Sequence, residues 1–134
     1  MRIRRWKRSK WAISPHERYM AMHFAYQYHE WLRELSGLTD TSKAIVYSDM
    51  PKGSINPDPT CDLVARREKL VRNKELVESC AKEADPELYE YIMLGVTNEG
   101  INYTSLSTLR GIPCSKGTYY ERLRKFYYLI SKKL

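Results

Sequence analysis

The stretch Gly100-Ile101-Asn102-Tyr103-Thr104-Ser105-Leu106-Ser107-Thr108-Leu109-Arg110-Gly111-Ile112-Pro113-Cys114-Ser115-Lys116-Gly117-Thr118-Tyr119-Tyr120-Glu121-Arg122-Leu123-Arg124-Lys125 decides the fold. It predicts a short helix from about Tyr103 to Leu109, with Leu106 and Leu109 on its inner face. A tight connection follows from Arg110 to Cys114, in which Gly111 is free to take positive φ and Ile112 can turn back into the core. Ser115 sits where an N-cap belongs, its hydroxyl placed to accept a backbone N–H. Behind it, Tyr119, Leu123, Phe126, Tyr127 and Ile130 recur at three- and four-residue steps, the spacing of a second helix with one buried face. Helix, glycine-containing turn, helix is the layout of a helix-turn-helix.

With that stripe turned inward, the outer face of the second helix carries Lys116, Tyr120, Glu121 and Arg124, and Arg122 and Lys125 lie on its flanks. A recognition helix reads base edges from its first turns while surrounding cations hold phosphates. Lys116 and Gly117 follow the cap directly, where backbone can approach a polyanion and the helix dipole favours negative charge. The expected DNA-contacting set is therefore Lys116, Gly117, Tyr120, Glu121, Arg122, Arg124 and Lys125, with Arg110 from the turn. A plain helical hairpin with a solvated basic face would share much of this pattern.

Residues 100–134 resemble region 4 of bacterial sigma factors. That family's pattern is Gly, an apolar residue, Ser/Asn-Tyr, a helix, Leu-Gly-Ile, then Ser-x-Gly-Thr and a basic helix. Here it reads Gly100-Ile101-Asn102-Tyr103, Leu109-Arg110-Gly111-Ile112 and Ser115-Lys116-Gly117-Thr118-Tyr119. Arg110 splits the Leu-Gly pair, and Pro113-Cys114 extends the turn. The span from about Asn56 to Leu134 is similar to the ArpU/RinA-like late transcription regulators of phages. That similarity is carried by Asp58-Pro59-Thr60, Lys82-Glu83-Ala84-Asp85-Pro86 and the closing Phe126-Tyr127-Tyr128-Leu129-Ile130-Ser131-Lys132-Lys133. The resemblance implies a DNA-binding regulator of phage late genes, acting with host RNA polymerase in the bacterial cytoplasm.

A chain of 134 residues is long enough to bury a core and short enough to be one domain with an arm. Its net charge of +7 suits a polyanionic partner. The 11 tyrosines, against 2 phenylalanines, suit interfaces as well as cores. Three cysteines without a CxxC pair argue against a disulfide framework and fit a reducing cytosol. No apolar run approaches the ~20 residues of a transmembrane helix. The basic N-terminus is not followed by the apolar segment of a secretory signal, so no membrane association is expected.

Residues 1–11 hold six cations and no acid. They read as a solvated tail or as an arm on phosphates or in a minor groove, with Arg4, Arg5, Lys7 and Arg8 as its contacts and Trp6 or Trp11 docked on the body; membrane-surface binding is a weaker third reading, because only Ile3, Trp6 and Trp11 could insert. Ser14-Pro15-His16-Glu17 is a capping box opening a helix expected to run from Pro15 to about Leu35. Its stripe would be Met20, Phe24, Tyr28, Trp31 and Leu35, widened by Tyr19 and Tyr26, and it would pack on the C-terminal region or on a second copy in a homodimer. Residues 36–60 hold enough Gly and Pro to read as irregular linker, within which Thr41 to Tyr47 could make a turn of helix or a short strand. A further helix is expected from Thr60 to about Lys82, with Leu63, Leu70, Val77, Ala81 and Ala84 inward and Val64 and Val71 beside them. Another should open with Asp85 as N-cap and Pro86 at N1, its stripe being Leu88, Tyr91, Ile92 and Val96.

The expected architecture is all-α: a basic arm at 1–13, a long N-terminal helix and irregular linker over 14–60, and a helical region over 61–134. The helix-turn-helix occupies 103–131, within a trihelical, sigma region 4-like domain. No cofactor or metal is expected, because His16, His23 and His29 form neither HxxxH nor HExxH and Lys52-Gly53-Ser54 lacks a P-loop's upstream glycine. Catalysis is not expected either. Cys114 lies near a helix start, where a thiol pKa can fall, but no nucleophile–base order surrounds it. Double-stranded DNA is the expected partner. A DNA-packaging protein of the small-terminase kind is the alternative, using the same motif within a ring.

Overall fold

In the computed structural model, which describes residues 10–47 and 59–134, the fold is all-α. Its helices are α1 (Pro15–Tyr26), α2 (Tyr28–Tyr47), α3 (Pro59–Ala84), α4 (Tyr89–Thr97), α5 (Tyr103–Arg110) and α6 (Lys116–Lys133). No strand occurs among the described residues. The expected arm contacts Arg4, Arg5, Lys7 and Arg8, and nearly all of the expected Asp49–Pro59 linker, lie outside them.

The starts of α1, α5 and α6 follow from short-range hydrogen bonds. Ser14 Oγ accepts the Glu17 N–H at 3.1 Å, and Pro15 occupies the first helical position. Asn102 Oδ1 accepts the Ser105 N–H at 2.9 Å to open α5, and Ser115 Oγ accepts the Thr118 N–H at 3.3 Å to open α6. Gly111 closes α5 with φ 61° and ψ 47°, a left-handed conformation that would strain any residue with a Cβ. Its N–H and that of Ile112 both point to the Leu106 carbonyl, and Ile112 turns into the core as expected.

Three local expectations are corrected. The single helix over Pro15 to Leu35 is interrupted at Gln27, whose backbone N–H bonds the Phe24 carbonyl at 3.2 Å. The His23 carbonyl, the ordinary i−4 acceptor, instead receives the Gln27 side-chain amide at 3.2 Å, so the backbone tightens for one turn. Beyond that break α2 continues through Gly37 to Tyr47, over residues expected to be irregular. A glycine costs a helix about 1 kcal/mol relative to alanine, and tertiary packing of α2 along α3 outweighs it. The third correction concerns α4, which starts at Tyr89 rather than Pro86. Asp85 Oδ1 accepts the N–H groups of Glu87 and Leu88 at 2.9 and 3.3 Å, holding residues 85–88 in a turn before the helix.

Helix α6 is at the centre, lying against α1, α3 and α4, while α4 also touches α1 and α3. Its buried face is the expected one: Tyr119, Leu123, Phe126, Tyr127 and Ile130. Full burial of each such side chain stabilises by roughly 1.5–3 kcal/mol. Leu70, Val77, Cys80, Ala81 and Ala84 meet it from α3, and Leu88, Ile92 and Val96 from α4 and the turn before it. Of the expected stripe, Trp31 is buried and Phe24, Tyr28 and Leu35 pack against the core, but Met20 and Tyr19 do not, and alanines take their place on α1. Ala21 and Ala25 are fully buried, Met20 is 62% exposed and Tyr19 is exposed. Small side chains let α1 approach α6 closely, and the buried Arg18 interacts with Tyr127 there. Burial pushes the Arg18 guanidinium down and the Tyr127 phenol up. Leu109, expected inward beside Leu106, is 79% exposed, and Val64 is also exposed near the start of α3.

Helices α2 and α3 run antiparallel. Tyr28 donates to Glu78 at 2.6 Å, and Arg66 grips Glu34 with Nε and Nη2 at 2.8–3.1 Å. That Arg–Glu pair is about half exposed on both sides, so it adds only about 0–1 kcal/mol.

Helices α4 and α6 approach closely at Gly95. A Cβ built on Gly95 would fall on the Tyr119 hydroxyl, which is itself buried without a hydrogen-bond partner among the described residues. Gly95→Ala should therefore destabilise the fold by about 1–3 kcal/mol through overpacking. Tyr119→Phe should leave stability unchanged or raise it by about 1 kcal/mol, because an unpaired buried hydroxyl is removed. The double variant should recover much of the alanine's cost, a non-additivity that thermal or urea unfolding of the four proteins would measure.

Candidate nucleic-acid interface

Helices α5 and α6 are joined by a connection held at both ends. The Tyr103 hydroxyl, in the first turn of α5, donates to the Cys114 carbonyl at 2.6 Å, just before the α6 cap. The Tyr103 N–H donates in turn to the Tyr120 hydroxyl at 3.3 Å. The rings of Tyr103 and Tyr119 lie 6.0 Å apart, and those of Tyr119 and Tyr120 5.2 Å apart. A chain of three tyrosines thus fixes α5 against the first two turns of α6.

That arrangement separates the residues expected to contact DNA. Lys116, Gly117 and Glu121 are exposed on the opening turns of α6, and Arg110 is exposed at the end of α5 beside Thr108 and Leu109. No acid lies in the first turn of α6, so the positive end of its dipole is not neutralised from within the helix. Tyr120 is half-buried, and its hydroxyl receives the Tyr103 N–H, which makes it a strut between the helices. Arg124 is half-buried too, with its Nε out of solvent.

Arg122 turns back towards the body. Its Nε meets Asp85 Oδ2 at 3.1 Å, while Nη1 lies 3.7 Å from Glu121. Asp85 therefore spends one carboxylate oxygen on the turn before α4 and the other on α6. This contact spans 37 positions of sequence, and no local pattern announces it.

Lys125 lies on the outer side of α6, with its ammonium 5.3 Å from the centre of the Trp11 ring. Lys10 approaches the same ring at 5.1 Å, and Trp11 meets Tyr128 edge-on at 5.2 Å. Lys132 in turn sits 5.2 Å from the Tyr128 ring. Each such cation–ring contact contributes about 0.5–1 kcal/mol at an exposed position. The docking of Trp11 on the body is thus present, and its seat is α6.

Cys114 is half-buried in the connection, and burial pushes its thiol up, with Asp85 adding to the effect and Arg122 opposing it. Among the described residues no group of three or more His, Cys, Asp or Glu side chains is placed to hold a metal ion, and no helix is long and apolar enough to cross a membrane.

Because Asp85 joins two structural duties, its variants should differ. Asp85→Asn keeps an acceptor for the Glu87 and Leu88 N–H groups and should cost under about 1 kcal/mol for the part-exposed ion pair. Asp85→Ala removes the turn's acceptor as well and should cost about 1–2 kcal/mol. Chemical unfolding checks the order. Comparison of the chain with known proteins adds no relative: no family model matches it, and neither does any curated protein or solved structure.

Proposed function

We propose that the protein is a sequence-specific regulator of transcription that binds double-stranded DNA through α5 and α6, with α6 in the major groove. The observation that carries this reading is the tyrosine-locked α5–turn–α6 pair, which leaves Lys116, Gly117 and Glu121 open at the leading end of a helix in a chain of net charge +7. Lys116 and Glu121 have the chemistry to read a guanine edge and a cytosine amino group respectively. Gly117 allows close backbone approach, and Arg110, with Thr104, Ser107 and Thr108 of α5, is suited to phosphates. Arg124 is the further base-edge candidate. Arg122 has a structural role through Asp85 and reaches a phosphate only from the edge of the surface.

In this reading α4, α5 and α6 form the trihelical, sigma region 4-like unit, and the protein acts at a promoter of phage late genes together with host RNA polymerase in the bacterial cytoplasm. The resemblance of residues 100–134 to sigma region 4 supports the polymerase partner. Selection of random duplexes on the purified protein should enrich one motif, bound by a monomer or a homodimer. Lys116→Ala and Arg124→Ala should each cost about 1–3 kcal/mol on that motif and relax base choice at one position, with the unfolding midpoint as control. A ring-sized assembly without an enriched motif would favour a packaging protein of the small-terminase kind. Absence of binding to any duplex would sink both.

A further inference from the structure

Gly117, Glu121, Lys125, Tyr128 and Lys132 stand at steps of four, four, three and four residues, one ridge of α6 opposite its buried face. The two halves of that ridge differ in bulk. Gly117 and Glu121 are exposed on the leading half. On the trailing half the Trp11 ring meets Tyr128 edge-on at 5.2 Å, so the helix carries a second layer of side chains there. Lys10 and Lys125 hold their ammonium groups 5.1 and 5.3 Å from the centre of the Trp11 ring, and Lys132 holds its own 5.2 Å from that of Tyr128. Sharing one ring keeps the first two within about 10 Å of each other, about one screening length at 0.1 M salt, so their charges repel. Among the described residues no carboxylate pairs with Lys10, Lys125 or Lys132. Three cations gathered without an acid attract an anion.

We propose that Lys10, Lys125 and Lys132 form a clamp on DNA backbone phosphates, and that the Trp11–Tyr128 contact stops α6 from entering the major groove beyond its leading turns. The proposal rests on the reading of α6 as the helix that binds duplex DNA. An α-helix with its side chains is about 10–12 Å across, which already fills a major groove about 12 Å wide. Trp11 and Lys10 on the outer side leave the trailing half no room between the two rows of phosphates. The leading half, from Lys116 to Arg124, is about 12 Å long at ~1.5 Å per residue and covers about three to four base pairs at ~3.4 Å each. Lys125 lies just beyond that stretch and Lys132 about 10 Å further along, where the phosphates border the groove. Such contacts fix register and depth and carry no sequence information, so base choice stays with the leading turns. An unpaired strand fits less well, because Trp11 is engaged by Tyr128 and two ammonium groups rather than presented for a base to stack on.

The test uses the full-length protein and the duplex motif enriched by selection, with each variant checked for an unchanged unfolding midpoint. An unrelated duplex and a single strand of the motif are titrated in parallel. Combining Lys10→Gln, Lys125→Gln and Lys132→Gln should cut affinity about fivefold or more for both duplexes alike, and should reduce the slope of log K against log[salt] by about 2–3 units. Lys125→Gln alone should weaken binding without changing base choice at any position. Duplexes carrying one neutral methylphosphonate each then locate the clamp. The parent should lose affinity where the clamped phosphates border the motif, and the triple variant should lose none at those positions. Base changes should matter over about three to four adjacent pairs for each bound copy.

A triple variant that binds both duplexes like the parent, with the parent's slope, overturns the clamp while the α6 reading stands. Relaxed base choice in Lys125→Gln overturns it as well, because that lysine then reads a base edge from inside the groove. Base sensitivity over about six or more adjacent pairs per copy means that α6 lies along the groove, and overturns the stop. A triple variant weakened on the single strand alone assigns the lysines to unpaired nucleic acid and overturns the proposal. A parent that binds no duplex overturns this proposal and the DNA reading together.

Discussion

The rest of the structure depends on the burial of one face of α6. Tyr119, Leu123, Phe126, Tyr127 and Ile130 meet α1, α3 and α4 at once, so a single helix is the common wall of three packing interfaces. Two close approaches make this possible. Gly95 gives the Tyr119 ring the space a methyl group would fill, and Ala21 and Ala25 bring α1 down onto the same helix. Once its inner face is held on three sides, the outer face of α6 has a defined direction. Every residue on it is then displayed or engaged according to the neighbours that reach around.

Those neighbours divide the outer face unequally. Asp85 draws Arg122 inward from one flank, and Trp11 covers the trailing turns at Lys125 and Tyr128. Lys132 and Lys133 stay open at the far end, and so does the leading end with Lys116, Gly117 and Glu121. This placement concentrates exposed charge and accessible backbone where a helix dipole favours an anion. The tyrosine chain through Tyr103, Tyr119 and Tyr120 also bears on function, because it couples the angle between α5 and α6 to the core rather than to the turn alone. A binding surface built on two helices needs that rigidity to keep contacts from both in register.

The sequence by itself determined the elements whose causes are local. Ser14, Asn102 and Ser115 cap helices through N–H groups three residues on, and Gly111 terminates α5 because only glycine takes positive φ without strain. Asn at such a place is an ordinary cap signal. The buried stripe of α6 was equally legible, since five large apolar side chains at three- and four-residue spacing have one way to leave water together.

Tertiary structure decided what periodicity leaves open. Leu109 belongs to the α5 pattern yet is exposed, because an eight-residue helix buries apolar side chains where neighbours exist, and Leu106 and Tyr103 face them while Leu109 does not. The expected N-terminal stripe keeps Phe24, Tyr28, Trp31 and Leu35 on the core, while Ala21 and Ala25 replace Met20 and Tyr19 where α1 packs closely. Gly37 did not end α2, because contact with α3 outweighs a propensity cost of about 1 kcal/mol. The roles of Arg122 and Tyr120 depend on Asp85 and Tyr103, 37 and 17 positions away. Hydrogen bonds within three or four residues act before the chain has a shape. Partners this far apart exist only after it has one, and that is where reading from sequence stops.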